Sequence, residues 1–92
     1  MIKNNGFSYQ MKAILILAGP YSTCVATQNI WQDSCSKHSI ELETHDALEA
    51  AGKELAEKLN VKSFPALVIS DKVIAVGHPD EKAAEKIIQA LK

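Results

Sequence analysis

Residues 54–77, ELAEKLNVKSFPALVISDKVIAVG, decide the fold. Leucines four apart indicate a helix that ends at Asn60, after which a short polar link leads to Pro65. Two short apolar runs follow, at 66–70 and 73–76, and both are of strand length. Pro65 stands where the first strand should begin, and a proline there fixes the backbone and removes a hydrogen-bond donor. The segment therefore predicts a strand pair with an edge that stays open for binding.

The bulk composition limits the classes of protein. The chain has 92 residues, which is enough for one small domain and too few for two independent cores. A formal net charge of −1 gives no basic face for phosphate, so no nucleic-acid partner is expected. No apolar run is long enough to span a membrane, so no membrane partner is expected either. Two cysteines are too few for a disulfide scaffold, and the cytoplasm is the expected compartment.

The predicted elements alternate along the chain in the order β-α-β-α-β-β-α. This order predicts an α/β domain with a four-stranded mixed sheet between helices on both faces. The first two strands should be parallel, and the last two should form an antiparallel hairpin. The second strand is the least apolar and should lie at an edge of the sheet. The predicted strands are 12–17, 40–44, 66–70 and 73–76, and the predicted helices run from a cap at Ser22 or Thr23 to Lys37, over 48–59, and onward from Pro79.

Apolar spacing also predicts which helix faces are buried. Gly52 should weaken the middle of the second helix by about 1 kcal/mol relative to alanine. The predicted inward-facing residues are Val25, Ala26, Ile30 and Trp31 in the first helix, and Ala84, Ile87, Ile88 and Leu91 in the last.

The domain is expected to cover residues 11–92. Residues 1–10 are polar with scattered apolar side chains, which favours a flexible N-terminal extension. The edge strand at 40–44 could pair with a copy of itself, so the chain is expected to be a monomer or a weak dimer.

The element order, with a proline before the third strand and a glycine after the fourth, resembles the thioredoxin-like superfamily. The resemblance is greatest to its small thioredoxins and glutaredoxin-sized members, and it covers about residues 11–92. It implies a three-layer sandwich and a cis peptide bond between Phe64 and Pro65. It implies no activity by itself, because many members are not redox enzymes. The best-matching residues are Leu55, Ala56, Leu59, Val61, Phe64, Pro65, Leu67, Val68, Val76 and Gly77.

Redox members of that superfamily carry Cys-x-x-Cys where the first strand meets the first helix. One cysteine attacks a disulfide and the other resolves the mixed intermediate. Here the corresponding stretch is GPYSTC, at 19–24. Aligned without gaps, Tyr21 takes the attacking position and Cys24 the resolving one. If the loop is longer by one helical turn, Cys24 becomes the attacking residue of a Cys-x-x-Thr motif that resembles monothiol members.

Two functions follow from these alignments. The first is a redox-related protein, and if an enzyme a monothiol thiol–disulfide oxidoreductase, with Cys24 as the catalytic thiol and glutathione or a partner thiol completing the cycle. The second is a non-catalytic module that holds a peptide, a protein or a small thiol, with the Phe64 backbone pairing to an extended segment. An attacking cysteine is exposed, whereas a resolving one is shielded. The candidate binding residues are Tyr21, Ser22, Thr23, Phe64, Pro65 and His78.

The second cysteine offers no partner to the first. Cys24 and Cys35 are eleven residues apart on one helix, a rise of about 16 Å. A disulfide needs Cα atoms within about 7 Å, so an intramolecular bond is excluded while the helix is intact. Cys35 is expected to fill a semi-buried apolar site.

The histidines have plain interpretations. Cys35 and His38 could share a helix face as metal ligands, but two ligands do not make a structural zinc site, and no metal is expected. His45–Asp46 should lie in a solvated loop. His78 is either a surface residue at a helix start or, in the proposed fold, a neighbour of Pro65.

Overall fold

The structure is a computed structural model that describes residues 11–19 and 22–91, with the side chain of Ser22 excepted. Residues 1–10 and Tyr21, to which the sequence assigns an extension and a binding residue, lie outside this part of the chain. The predicted element order is confirmed. The elements are β1 (Met11–Leu17), α1 (Ser22–Lys37), β2 (Ile40–Asp46), α2 (Ala50–Lys58), β3 (Ala66–Ile69), β4 (Lys72–Val76) and α3 (Glu81–Ala90).

The four strands form one mixed sheet in the order β2-β1-β3-β4. β1 is parallel to β2, and β3 is antiparallel to β4, as predicted. β1 is also antiparallel to β3, a pairing that the sequence did not predict. β1 takes a central position because its near-continuous apolar run suits burial on both faces. β2 is an edge strand, which confirms its prediction. Ser70 and Asp71 both have positive φ and make the two-residue turn between β3 and β4.

Alternating side chains of the central strands pack into two separate cores, one on each face of the sheet. Leu15 and Leu67 belong to the core that α1 and α3 cover, here called the α1/α3 face. Ile16 and Val68 belong to the core that α2 covers, here called the α2 face. Helices on both faces of the sheet give the predicted three layers.

The buried face of α1 differs from the predicted one. The helix begins at Ser22, so neither Ser22 nor Thr23 stands outside it as a cap. Val25 is exposed and Ala26 is exposed, so their predicted inward orientation is wrong, whereas Trp31 is buried as predicted. The large Trp31 side chain fixes the rotation of the helix, and short side chains at helical spacing from it complete that face. The buried residues of α1 are Cys24, Thr27, Trp31, Ser34 and Cys35.

α2 is shorter than predicted because its start is set by close packing. It begins at Ala50, where the sequence predicted a start at 48. A Cβ on Gly52 would lie 1.9 Å from the main-chain oxygen of Asp46, so glycine allows the helix to approach the end of β2. At the other end Asn60 has φ 60°, and the Val61 N–H donates to the Ala56 carbonyl, which closes the helix.

α3 begins with a side-chain cap. Asp80 precedes the helix and its Oδ1 accepts a 2.7 Å hydrogen bond from the Ala83 N–H. Pro79 therefore lies before the cap, and its prediction as the first helical residue is wrong. The inner face is confirmed, since Ala84 and Ile88 are buried. No helix within 11–19 and 22–91 has the length and apolarity needed to cross a membrane.

Candidate functional site

The first half of the candidate site is the backbone before β3. The Phe64–Pro65 peptide bond is cis, and Pro65 is buried. The Pro65 carbonyl accepts a 2.8 Å hydrogen bond from the Gly77 N–H, which extends the β3–β4 ladder by one residue. Among the residues that the structure describes, Phe64 makes no backbone hydrogen bond. Within residues 11–19 and 22–91, its N–H and carbonyl are therefore not paired with another backbone group.

The second half is the first turn of α1, which contains Cys24 as its third residue. Thr23 is exposed, whereas Cys24 is only 5% exposed. The Cys24 side chain belongs to the core of the α1/α3 face, in the cluster that also holds Leu17 and Trp31. This shielded placement corresponds to the resolving position of the alignment without gaps.

An open groove of about 430 Å³ lies on the α2 face, between the end of β1 and the residues before Pro65. Phe64 lines this groove and also packs against the α2-face core. Leu48, which is 69% exposed, forms part of the opposite wall. Within the described part of the chain the lining is apolar except for one lysine and one glutamate, and consists of Ala18, Ala47, Leu48, Lys53, Ala56, Glu57, Val61 and Phe64.

The predicted site residues therefore divide between two places. Phe64 lines the groove, but Cys24 and His78 are not among its lining residues. Cys24 is buried on the opposite face of the sheet, in a different core cluster from the one that Phe64 contacts. Tyr21, a further predicted binding residue, is outside the described residues.

His78 contacts α1 through the side chain of Thr27. The residue is exposed, and its Nδ1 lies 2.6 Å from the hydroxyl oxygen of Thr27, which is 2% exposed. Gly77 has φ 98° and turns the chain between β4 and His78, a conformation that glycine adopts at no steric cost. The sequence analysis included Thr27 only as the last residue of the Cys-x-x-Thr motif and did not predict its contact with His78. Its spacing of three residues from Cys24 puts both side chains on one helix face.

Asp46 is a second residue that sequence reasoning misjudged. It is the last residue of β2, beside Leu17 in the parallel register, so its assignment to a solvated loop is wrong. Its Oδ1 accepts hydrogen bonds from the Gly19 N–H at 3.1 Å and the Leu48 N–H at 2.9 Å. One carboxylate thus ties the start of the candidate site loop to the wall of the groove. His45, its neighbour, also lies within β2 and bonds to Glu43.

The remaining candidate thiol is sealed in the core. Cys35 is fully buried, and burial raises the pKa of its thiol to about 11, which keeps it neutral and unreactive near pH 7. His38 does not join Cys35 at a metal site. Its Nε2 lies 2.7 Å from Glu85 Oε2 on α3. Across residues 11–19 and 22–91, no group of three or more potential metal ligands comes together.

Comparisons with known proteins agree with this architecture. A family model described as a thioredoxin domain matches residues 3–89. The oxidised thioredoxin from Plasmodium falciparum superposes with a TM-score of 0.67 at 15% identity, covering 89% of this chain and 81% of that one. A mutant thioredoxin from Halobacterium salinarum NRC-1 superposes with a TM-score of 0.68 at 18% identity, covering 87% of this chain and 73% of that one. Mitochondrial thioredoxin 3 from Saccharomyces cerevisiae superposes with a TM-score of 0.67 at 17% identity, covering 91% of this chain and 81% of that one. Comparison with curated protein sequences finds no match.

Proposed function

Because the chain belongs to the family of thioredoxin domains, we propose that it keeps a thioredoxin-type binding surface and uses it as a non-catalytic module for an extended peptide segment of a protein partner. One observation carries the proposal. The groove beside Phe64 is open, whereas the thiol at the candidate site, Cys24, is 5% exposed. Among the described residues, a surface that can bind is thus present without an accessible thiol next to it.

The backbone of Phe64 supports this mode of binding. A strand added beside Phe64 would gain main-chain hydrogen bonds, and alternate side chains would supply specificity. One of those side chains would enter the groove, whose volume lies within the range of roughly 300–1,000 Å³ that is usual for ligand pockets. The groove is lined by Leu48 and Val61 and bordered by Lys53 and Glu57, so it suits a large apolar side chain with polar neighbours.

The proposal is tested by selecting from a displayed library of random ten-residue peptides with the full chain as bait. Selected peptides should share a large apolar residue. Leu48→Ser should weaken their binding about tenfold or more, because Leu48 is exposed in the groove wall. Val73→Thr is the matched control, since Val73 is also an exposed apolar residue but lies on β4 outside the groove, and it should leave binding unchanged. Equal effects of both variants, or no selected peptide, would contradict the proposal.

A second candidate function uses Cys24 as a lone thiol. It is favoured by the position of Cys24 in the first turn of α1, where redox members of the superfamily carry their cysteines. The deprotonated Cys24 sulfur would attack a substrate disulfide, forming a mixed disulfide and releasing one substrate thiolate. The glutathione thiolate would then attack the substrate sulfur of that mixed disulfide, which releases the Cys24 thiolate and leaves a glutathione–substrate disulfide. This chemistry needs local opening of the first turn, and rapid alkylation of Cys24 in the folded protein would support it.

The proposed setting is the reducing cytoplasm, because both cysteines are free thiols. A monomer or a weak dimer remains the proposed state. Glu43 on the edge strand β2 forms an ion pair with Lys12 on β1, and charged side chains on an edge strand oppose pairing with another strand.

A further inference from the structure

The contact between Thr27 and His78 determines which of the two side chains donates the hydrogen bond. Thr27 is 2% exposed, so its hydroxyl proton would destabilise the fold as an unsatisfied buried donor unless it has an acceptor. Among the described residues, His78 Nδ1 is the one hydrogen-bond partner of that hydroxyl. The Thr27 hydroxyl therefore donates, and Nδ1 accepts with its lone pair.

The role of Nδ1 as acceptor determines whether the other ring nitrogen, Nε2, carries the proton. In a neutral imidazole one nitrogen accepts and the other carries the proton. With Nδ1 acting as an acceptor, the proton of His78 is on Nε2. His78 is exposed, and within the described part of the chain Nε2 has no hydrogen-bond partner. A donor of fixed orientation is thus presented to the solvent.

The strand register puts this donor beside the candidate binding edge. Ala66 pairs with Val76, and the Gly77 N–H donates to the Pro65 carbonyl. His78 directly follows Gly77, and Phe64 directly precedes Pro65, so the two residues flank this hydrogen-bonded pair. A segment that pairs with the Phe64 backbone would therefore pass within reach of a side chain at position 78.

We propose that His78 is a specificity-determining residue whose Nε2–H donates to an oxygen acceptor of the bound peptide, and that Thr27 is the positioning residue that fixes this tautomer. The inference rests on the proposed peptide-binding function and names the chemistry that the partner supplies. The acceptor oxygen is either a side-chain carboxylate of the segment or one of its backbone carbonyls. A hydrogen bond to a carboxylate is roughly twice as strong as one to a neutral acceptor.

The tautomer is tested first, without any ligand. Long-range ¹H–¹⁵N correlation spectra of the histidine rings at neutral pH should show His78 as the Nε2–H form in the wild type. Thr27→Val has nearly the same shape but no hydroxyl, and it should give a mixture of tautomers. Thr27→Ser restores the hydroxyl and should restore the Nε2–H form. An Nδ1–H form in the wild type, or identical spectra for the valine and serine variants, would overturn the assignment.

Binding is tested with peptides selected on the wild-type chain, as described for the groove. His78→Ala should weaken them about tenfold, and Thr27→Val should weaken them less, with recovery in Thr27→Ser. Each acidic peptide residue is also replaced by its amide. Loss of the His78→Ala effect in one amide peptide identifies a carboxylate acceptor, and an equal effect on every peptide identifies a backbone carbonyl.

The two proposals fail in different ways. If Leu48→Ser weakens the selected peptides and His78→Ala does not, the role of His78 is wrong and the groove still binds. If no peptide is selected, or if Leu48→Ser has no effect, the binding function itself is wrong and the role of His78 is rejected with it.

Discussion

The two faces of the sheet differ in how completely they are covered. The α1/α3 face lies under helices of 16 and 10 residues, and it buries Trp31 and both cysteines. The α2 face lies under one helix of nine residues, which leaves a groove open beside Phe64. The side chains capable of thiol chemistry are thus enclosed on one face, while the apolar surface capable of binding is accessible on the other. The fold of the thioredoxin family thus has here a closed face that holds the thiols and a more open face that holds the groove.

The largest expected difference between the faces is in the cost of truncating an apolar side chain. Trp31→Ala removes a side chain that is 1% exposed and should lower the free energy of unfolding by about 3–5 kcal/mol. Leu48→Ala removes one that is 69% exposed and should change it by no more than about 0.5 kcal/mol. Urea denaturation of both variants checks the comparison. Similar costs would mean that the α2 face is as closed as the other.

A smaller effect is expected where α2 meets the sheet. Gly52→Ala should destabilise the fold by about 1–3 kcal/mol, because the new Cβ would collide with the Asp46 main chain. In a free helix the same change would stabilise by about 1 kcal/mol. Ala51→Gly, at an exposed position one residue earlier, is the control and should cost only the propensity difference. A stabilised Gly52→Ala variant in thermal unfolding would show that α2 does not pack this closely.

The smallest effect on stability is expected at the His38–Glu85 pair, which joins the end of α1 to α3, and this effect depends on pH. The hydrogen bond from His38 holds the pKa of Glu85 below its ordinary value of 4.5. Because the folded-state pKa is the lower one, the pair stabilises the fold above the unfolded pKa, and this contribution is lost as the pH falls through the folded value. Glu85→Gln should therefore be destabilising at neutral pH, and its deficit relative to the wild type should shrink below about pH 4.5.

The control for the His38–Glu85 pair is a double-mutant cycle. In a His38→Ala background, the difference between glutamate and glutamine at position 85 should lose most of its pH dependence. Denaturation midpoints between pH 3 and pH 7 measure both differences. An unchanged pH dependence without His38 would remove the imidazole as its cause.

Most of the fold could be predicted from the sequence, because local patterns decided it. The apolar run of β1, the proline before β3 and the inner face of α3 each correspond to an element in the structure. The short hairpin between β3 and β4 allowed only an antiparallel pair. These features depend on residues close together in the chain.

What could not be predicted depends on contacts between distant residues. Gly52 appeared to be a weak point of a helix, but its role depends on Asp46 approaching it from β2. Thr27 lies on α1 and His78 lies after β4, 51 residues further along the chain, so no local sequence pattern indicates their contact. The burial of Cys24 depends on the rotation of α1, which Trp31 fixes and which the apolar spacing of the sequence did not reveal.

The separation of the two faces is tested most directly by the alkylation rate of Cys24 in the folded wild-type chain. Iodoacetamide is added at neutral pH under native conditions, and modification at Cys24 and Cys35 is followed by peptide mapping with mass spectrometry. Burial at 5% exposure predicts that Cys24 reacts at least about a hundredfold more slowly than in the urea-unfolded chain. A native rate equal to or above the unfolded rate would contradict the account and make Cys24 the reactive centre of the protein.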